Sequence, residues 1–139
     1  MFVYLGIARL LSALYPWRAL LDLRVVWLGV VLVILGAALS SWALLLFRRE
    51  GAELNPTSER KTSLVVRGPF RVTRNPMYLG LVLVTIGIAF WVGHLPMFAV
   101  PVLAFATANC VHIPFEEQKL RREFGVAFDD YLRRVRRWI

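Results

Sequence analysis

A single cysteine, Cys110, rules out an internal disulfide and any multi-cysteine metal site. Two histidines, His94 and His112, are too few for a histidine-rich metal centre. The chain carries no GxGxxG, no phosphate-binding P-loop, no HExxH and no serine–histidine–aspartate set, so hydrolase, kinase and soluble dinucleotide-enzyme readings lose their usual support. Charge is scarce too: 19% of residues are charged against 58% apolar, where soluble domains have about 45–50% apolar. The N-terminus lacks the basic region and the small-residue cleavage site of a signal peptide, and Arg9 interrupts its apolar start. No basic stripe with interleaved aromatics occurs outside the tail, so the net charge of +8 does not point to nucleic acid.

What remains is the composition of a small all-α integral membrane protein, read as one domain over residues 1–139. Residues 25–47 contain no charge; 23 helical residues rise about 34 Å, enough to span a bilayer with some tilt. Residues 78–93 form a second apolar run, and 96–115 a third, joined by the uncharged turn GHLP. These make about three transmembrane helices, the last two a hairpin, with Pro101 and Pro114 expected to bend or end the third. Residues 2–17 are apolar but short, and read equally well as an interfacial helix or a fourth span. Gly51 to Asn75 is polar and proline-broken, a loop with little regular structure. In the tail, 116–138, Leu120, Phe124, Ala127 or Phe128, Tyr131, Val135 and Trp138 recur at three- and four-residue spacing, predicting one amphipathic helix. Arg133, Arg134, Arg136 and Arg137 at its end suit contact with anionic membrane lipid.

Basic residues also predict orientation. Residues 48–77 carry seven Lys or Arg, the tail another seven, and the GHLP turn none. The positive-inside rule therefore places loop and tail in the cytoplasm and the turn outside. Loop and tail then meet at one membrane face, from opposite ends of the hairpin.

Within RGPFRVTRNPMYLG, residues 67–80, Arg67 and Arg71 read as topology determinants. Arg74 differs, because Asn75-Pro76 follows it and starts a helix whose free N–H groups favour anions; together they could hold a carboxylate or phosphate. Tyr78 is an interfacial anchor or a face for a cation, and Gly80 permits close backbone approach. Glu116 and Glu117 follow the third apolar run directly; acids there suit a helix start, and at membrane depth they also require partners. His112 lies four residues earlier, a structural hydrogen-bonder or a site residue. Cys110 reads as a buried, inert thiol.

LVVRGPFRVTRNPMYLG, a hydrophobic hairpin and EEQKLRREFGVAFDDYLRRVRRWI together resemble the isoprenylcysteine carboxyl methyltransferase family of membrane enzymes, and phospholipid N-methyltransferases share the hairpin and double glutamate. The resemblance is strongest over residues 51–139. It implies an S-adenosylmethionine-dependent methyltransferase acting at the cytoplasmic face on a lipid-like or prenylated small molecule, with no metal. Asn75, Tyr78, Leu79 and Gly80 would line the cofactor on one side, with His112, Glu116 and Glu117 on the other. Arg74 and Glu117 would be catalytic, Arg74 holding the cofactor carboxylate or an acidic group of the substrate. Phe124, Gly125 and Tyr131 would cover the site. Many relatives have histidine where this chain has Asn75; an amide can orient a ligand but cannot take a proton, which tilts the reading toward an acceptor that is already anionic, such as a carboxylate. The short N-terminal third lacks most of the family's extra helices, so a homodimer could complete the substrate cavity. Phospholipid N-methylation is the nearest alternative. A nicotinamide-dependent sterol-type reductase and a non-enzymatic membrane protein with a lipid-recruiting tail are alternatives of other classes.

Overall fold

The computed structural model describes residues 24–49 and 64–139, together with Gly6, Arg9 and Leu10. The N-terminal helix expected over 2–17 and most of the loop after residue 49 lie outside the described residues. Those described are all helical or irregular. Helix α1 is Val26–Arg49, α2 is Pro76–Val92, α3 is Ala99–Thr107, α4 is Ile113–Phe124 and α5 is Val126–Arg134. A 3-10 turn, Gly68–Arg71, precedes α2, and another, Leu95–Phe98, leads into α3. Two helical stretches are long and apolar enough to cross a membrane, Val26–Arg49 and the continuous Leu95–Phe124; α2 is a shorter apolar helix. The fold is that of a small membrane protein.

Helices α1 and α2 are held by glycine contacts in antiparallel register. A Cβ on Gly29 would lie 2.6 Å from the Gly87 carbonyl oxygen, and one on Gly36 2.5 Å from that of Gly80. Both pairs are seven residues apart, so they lie on one side of each helix and let the backbones touch. At one end the Val25 N–H donates to Phe90 O at 3.1 Å; at the other, Ser40 Oγ donates to Met77 O at 3.2 Å. The outward face of α1, with Trp27, Ile34, Leu35 and Trp42, is exposed, as expected of a helix whose solvent is lipid.

Gly93 ends α2 at φ 76°, its N–H donating to Ala89 O, so the expected GHLP turn forms. Ala89, Met97 and Val100 are buried together across it. The third span does not end at Pro101 or Pro114: it runs on as one helical stretch, Leu95–Phe124, and widens into a π-turn, Ala108–His112, just before Pro114. Proline has no N–H for the preceding turn, and its ring collides with the carbonyl four residues back; a wider turn relieves both. Cys110, on this turn, is exposed rather than buried. The tail differs as well. The single helix predicted over 116–138 is two, broken at Gly125 (φ 52°, ψ −122°), and helix gives way at Val135, itself extended, to an irregular end.

The segment before α2 is tucked under the end of α1. Val65 and Phe70 are buried with Ala43, flanked by Leu46, Phe47 and Met77. This anchors residues 64–75 against the hairpin and fixes where Arg74 and Asn75 emerge.

Candidate active site

Pro76 occupies the first turn of α2, where its missing N–H costs nothing, and Asn75 stands at the N-cap. The Asn75 side chain does not cap the helix; its Nδ2 donates to the carbonyl of Arg137 at 3.0 Å. Thr73 Oγ1 donates to the same carbonyl at 3.1 Å, and the Arg74 N–H donates to Arg136 O at 3.0 Å. Three consecutive residues before α2 thus bind the irregular C-terminal segment, across more than sixty residues of chain.

This pairing delivers a charged cluster. Arg74 Nη1 lies 3.0 Å from Glu117 Oε1, and Arg137 Nη2 lies 2.7 Å from Glu117 Oε2. Arg137 Nε also donates to Glu117 Oε1, at 3.3 Å. One partly buried carboxylate is therefore gripped by two guanidinium groups, one of them in the two-pronged geometry that arginine favours. Arg74 Nε is buried and has no hydrogen-bond partner among the described residues. Beside the cluster, Tyr78 Oη donates to Glu116 Oε1 at 2.6 Å, and the Tyr78 ring stacks on His112 with centroids 6.0 Å apart. Tyr131 Oη donates to Phe70 O at 2.7 Å, tying α5 down over the same place. Burial pushes the Tyr131 hydroxyl up to about 12, against a downward pull from Arg74, so it stays a donor through the neutral range.

Arg74, Asn75, Tyr78, Glu116 and Glu117 line one cleft of about 90 Å³, with Phe47, Phe70, Leu120, Phe128 and Tyr131 as apolar wall. The expected meeting of the two hairpin ends therefore occurs. His112 reaches the cleft only through the ring of Tyr78. Leu79 and Gly80 are not in its lining. The close approach at Gly80 is to α1, where a Cβ would overlap Ser40 Oγ and come 2.5 Å from Gly36 O. Sequence reasoning missed Asn109 and the inward turn of Arg137. A lone amide inside an apolar span was the available signal for Asn109. Arg137 was grouped with the lipid-facing arginines, whereas it points into the protein. Among the described residues no group of three or more His, Cys, Asp or Glu could hold a metal ion.

Similarity to known proteins bears on the cleft. A stretch of 89 residues is 36% identical to methanethiol S-methyltransferase 2 of Bradyrhizobium diazoefficiens, covering 61% of this chain and 30% of the relative. The chain thus matches less than a third of that protein's length. No solved structure matches the chain. The sequence profile of phospholipid methyltransferases matches residues 24–127, which include α1, the hairpin, Arg74 to Tyr78 and both glutamates, and the chain therefore belongs to the phospholipid methyltransferase family, whose members take S-adenosyl-L-methionine as methyl donor.

Proposed function

We propose that this protein is a membrane methyltransferase that binds S-adenosylmethionine in the cleft between α2 and α4 and methylates a lipophilic acceptor at a carboxylate. The observation that carries the reading is the Arg74–Glu117–Arg137 cluster, with its one unpartnered buried nitrogen, set against an aromatic wall. Those groups fit the cofactor chemically. Arg74 Nε is a donor awaiting an acceptor, as a ligand carboxylate would be. Glu116 and Glu117 can accept from an ammonium or from ribose hydroxyls, and the aromatic side chains suit a planar base and a sulfonium. The cleft of about 90 Å³ is smaller than the roughly 300 Å³ of pockets that enclose whole small ligands, so the cleft must widen to admit the cofactor.

Bound there, the cofactor supplies an electrophilic methyl group. The protein supplies alignment and dryness. Arg74 and Glu117 fix the polar end, Tyr78 steadies Glu116, and Phe47, Phe70 and Phe128 exclude water. No proton acceptor stands at Asn75, whose amide is engaged by the Arg137 carbonyl. An acceptor already ionised at neutral pH needs none, and an anion losing its charge is favoured in a low-dielectric cleft. The relative named for methanethiol supports a second reading, a thiol acceptor, which reacts as its thiolate and loses its proton more readily than an amine with a pKa of about 10. The family match also supports methyl transfer over a nicotinamide reductase or a purely structural role. The orientation expected from the charges, with loop and tail cytoplasmic, is part of the proposal.

The test is binding and transfer. Purified protein should bind S-adenosylhomocysteine by calorimetry, and Glu117→Gln should weaken it about tenfold or more, the scale of a lost charge-assisted hydrogen bond. Wild-type affinity in that variant would remove Glu117 from the site. Labelled methyl transferred into total membrane lipid should be released by mild base, as a methyl ester is. Base-stable label would replace the carboxylate with a thiol or amine acceptor.

A further inference from the structure

The C-terminal residues Val135–Trp138 lie beyond the family match, yet they bond to both ends of the hairpin that meet at the cleft. Their backbone carbonyls bind the segment before α2: Arg136 O accepts from the Arg74 N–H, and Arg137 O accepts from Thr73 and Asn75. Their side chains bind the other span. Asn109 Oδ1 accepts from Trp138 Nε1 at 3.1 Å and from Arg137 Nη1 at 3.4 Å. The Trp138 ring rests on Phe105 with centroids 4.7 Å apart. Asn109 sits on the π-turn, a distortion common at functional positions, and it is a half-buried amide in an otherwise apolar run.

We propose that Asn109 is a positioning residue for the cleft: it holds residues 135–138 as a strap across the hairpin and thereby sets Arg137 as the partner that orients Glu117. The Arg137 guanidinium is planar, with Nη1 directed at Asn109 and Nε and Nη2 at Glu117. Fixing one edge of that plane fixes the other. Without Asn109, the strap keeps its backbone bonds to residues 73–75 and the Trp138–Phe105 contact but loses both side-chain bonds to the π-turn, and the Arg137 plane is no longer fixed against Glu117, which is left with Arg74 as its firm partner. The strap itself is independent of any ligand; its effect on Glu117 rests on the cofactor reading above.

Two measurements test this on the full chain in nanodiscs. In the first, without ligand, trypsin cleavage after Arg136 and Arg137 is followed by mass spectrometry. Asn109→Leu, which suits an apolar helix, should be cut about tenfold faster, as expected when two side-chain hydrogen bonds that hold the strap are lost. Asn109→Asp, which keeps an acceptor at the same place, should be cut at the wild-type rate. Equal rates in wild type and Asn109→Leu overturn the strap. In the second, S-adenosylhomocysteine affinity should fall about tenfold in Asn109→Leu, and the double variant with Arg137→Ala should bind no more weakly than Arg137→Ala alone. Additive losses overturn the route through Arg137. If wild type binds no S-adenosylhomocysteine while the cleavage difference stands, the cofactor reading fails and the coupling to Glu117 with it, but not the strap.

Discussion

Asn75 and Tyr131 illustrate how single polar groups decide the shape of the cleft. The Asn75 amide gives its donor to the Arg137 carbonyl and so serves the tail. Tyr131 performs a similar service from α5. Its ring is buried and its hydroxyl bonds to the Phe70 carbonyl, which itself belongs to the anchored segment before α2. Tyr131→Phe removes the donor and leaves that carbonyl unsatisfied, an expected loss of about 1–2 kcal/mol in thermal unfolding followed by tryptophan fluorescence. The pH dependence has a definite sign. Burial raises the folded-state value from 10.0 to about 12, so the neutral phenol is the form the fold favours. Its contribution is complete below pH 10 and is lost as pH rises through 12. The gap between wild type and Tyr131→Phe should therefore be constant from neutral pH to about 10 and close above it. A gap that is unchanged at pH 12 would mean that the hydroxyl is not the stabilising group.

At the scale of elements, the α1–α2 pair rests on close backbone approach, since lipid offers little hydrophobic drive for apolar helices to associate. Gly36→Val would press a branched side chain against Gly80 O at 2.5 Å and against Leu83 and Val84 at 2.9 Å from the Cβ position. Overpacking of this kind costs about 1–3 kcal/mol, so the midpoint of thermal unfolding in detergent should fall by several degrees. Ala37→Val, on the exposed side of the same turn, should leave it unchanged. Equal shifts in the two variants would mean that the glycine register is not what holds the helices together. The apolar spans were legible in the sequence because a charge-free run of 23 residues has few soluble uses, and GHLP was legible because Gly93 supplies the left-handed turn residue. The π-turn was not, since it depends on how the helix absorbs Pro114 rather than on any local preference. Nor was the break at Gly125: Leu120, Phe124, Phe128 and Tyr131 keep helical spacing across it, so periodicity runs on where the backbone does not.

For the whole molecule, the sequence carried the logic of the cleft further than its details. Charge counting joined Arg74 to Glu117 across some forty residues, because loop and tail had to share a membrane face, and the salt bridge between them is there. It could not single out Arg137 from Arg133, Arg134 and Arg136, which look alike in composition. Which of them turns inward depends on where α5 stops and on the extended backbone at Val135, and both are set by tertiary contacts. The same charges make the proposed orientation testable. In a Cys110→Ser background, Leu95→Cys places a thiol at the exposed hairpin turn and Lys119→Cys places one on the exposed side of α4. The loop and the tail that meet at the cleft face carry seven basic residues each and the turn carries none, so the cleft face should remain on the cytoplasmic side of a bacterial inner membrane. A membrane-impermeant maleimide added to spheroplasts should label the residue-95 thiol at once and the residue-119 thiol only after lysis. The opposite pattern would turn the cleft outward, away from a cytoplasmic supply of methyl donor, and would count against the proposed activity as well as the orientation.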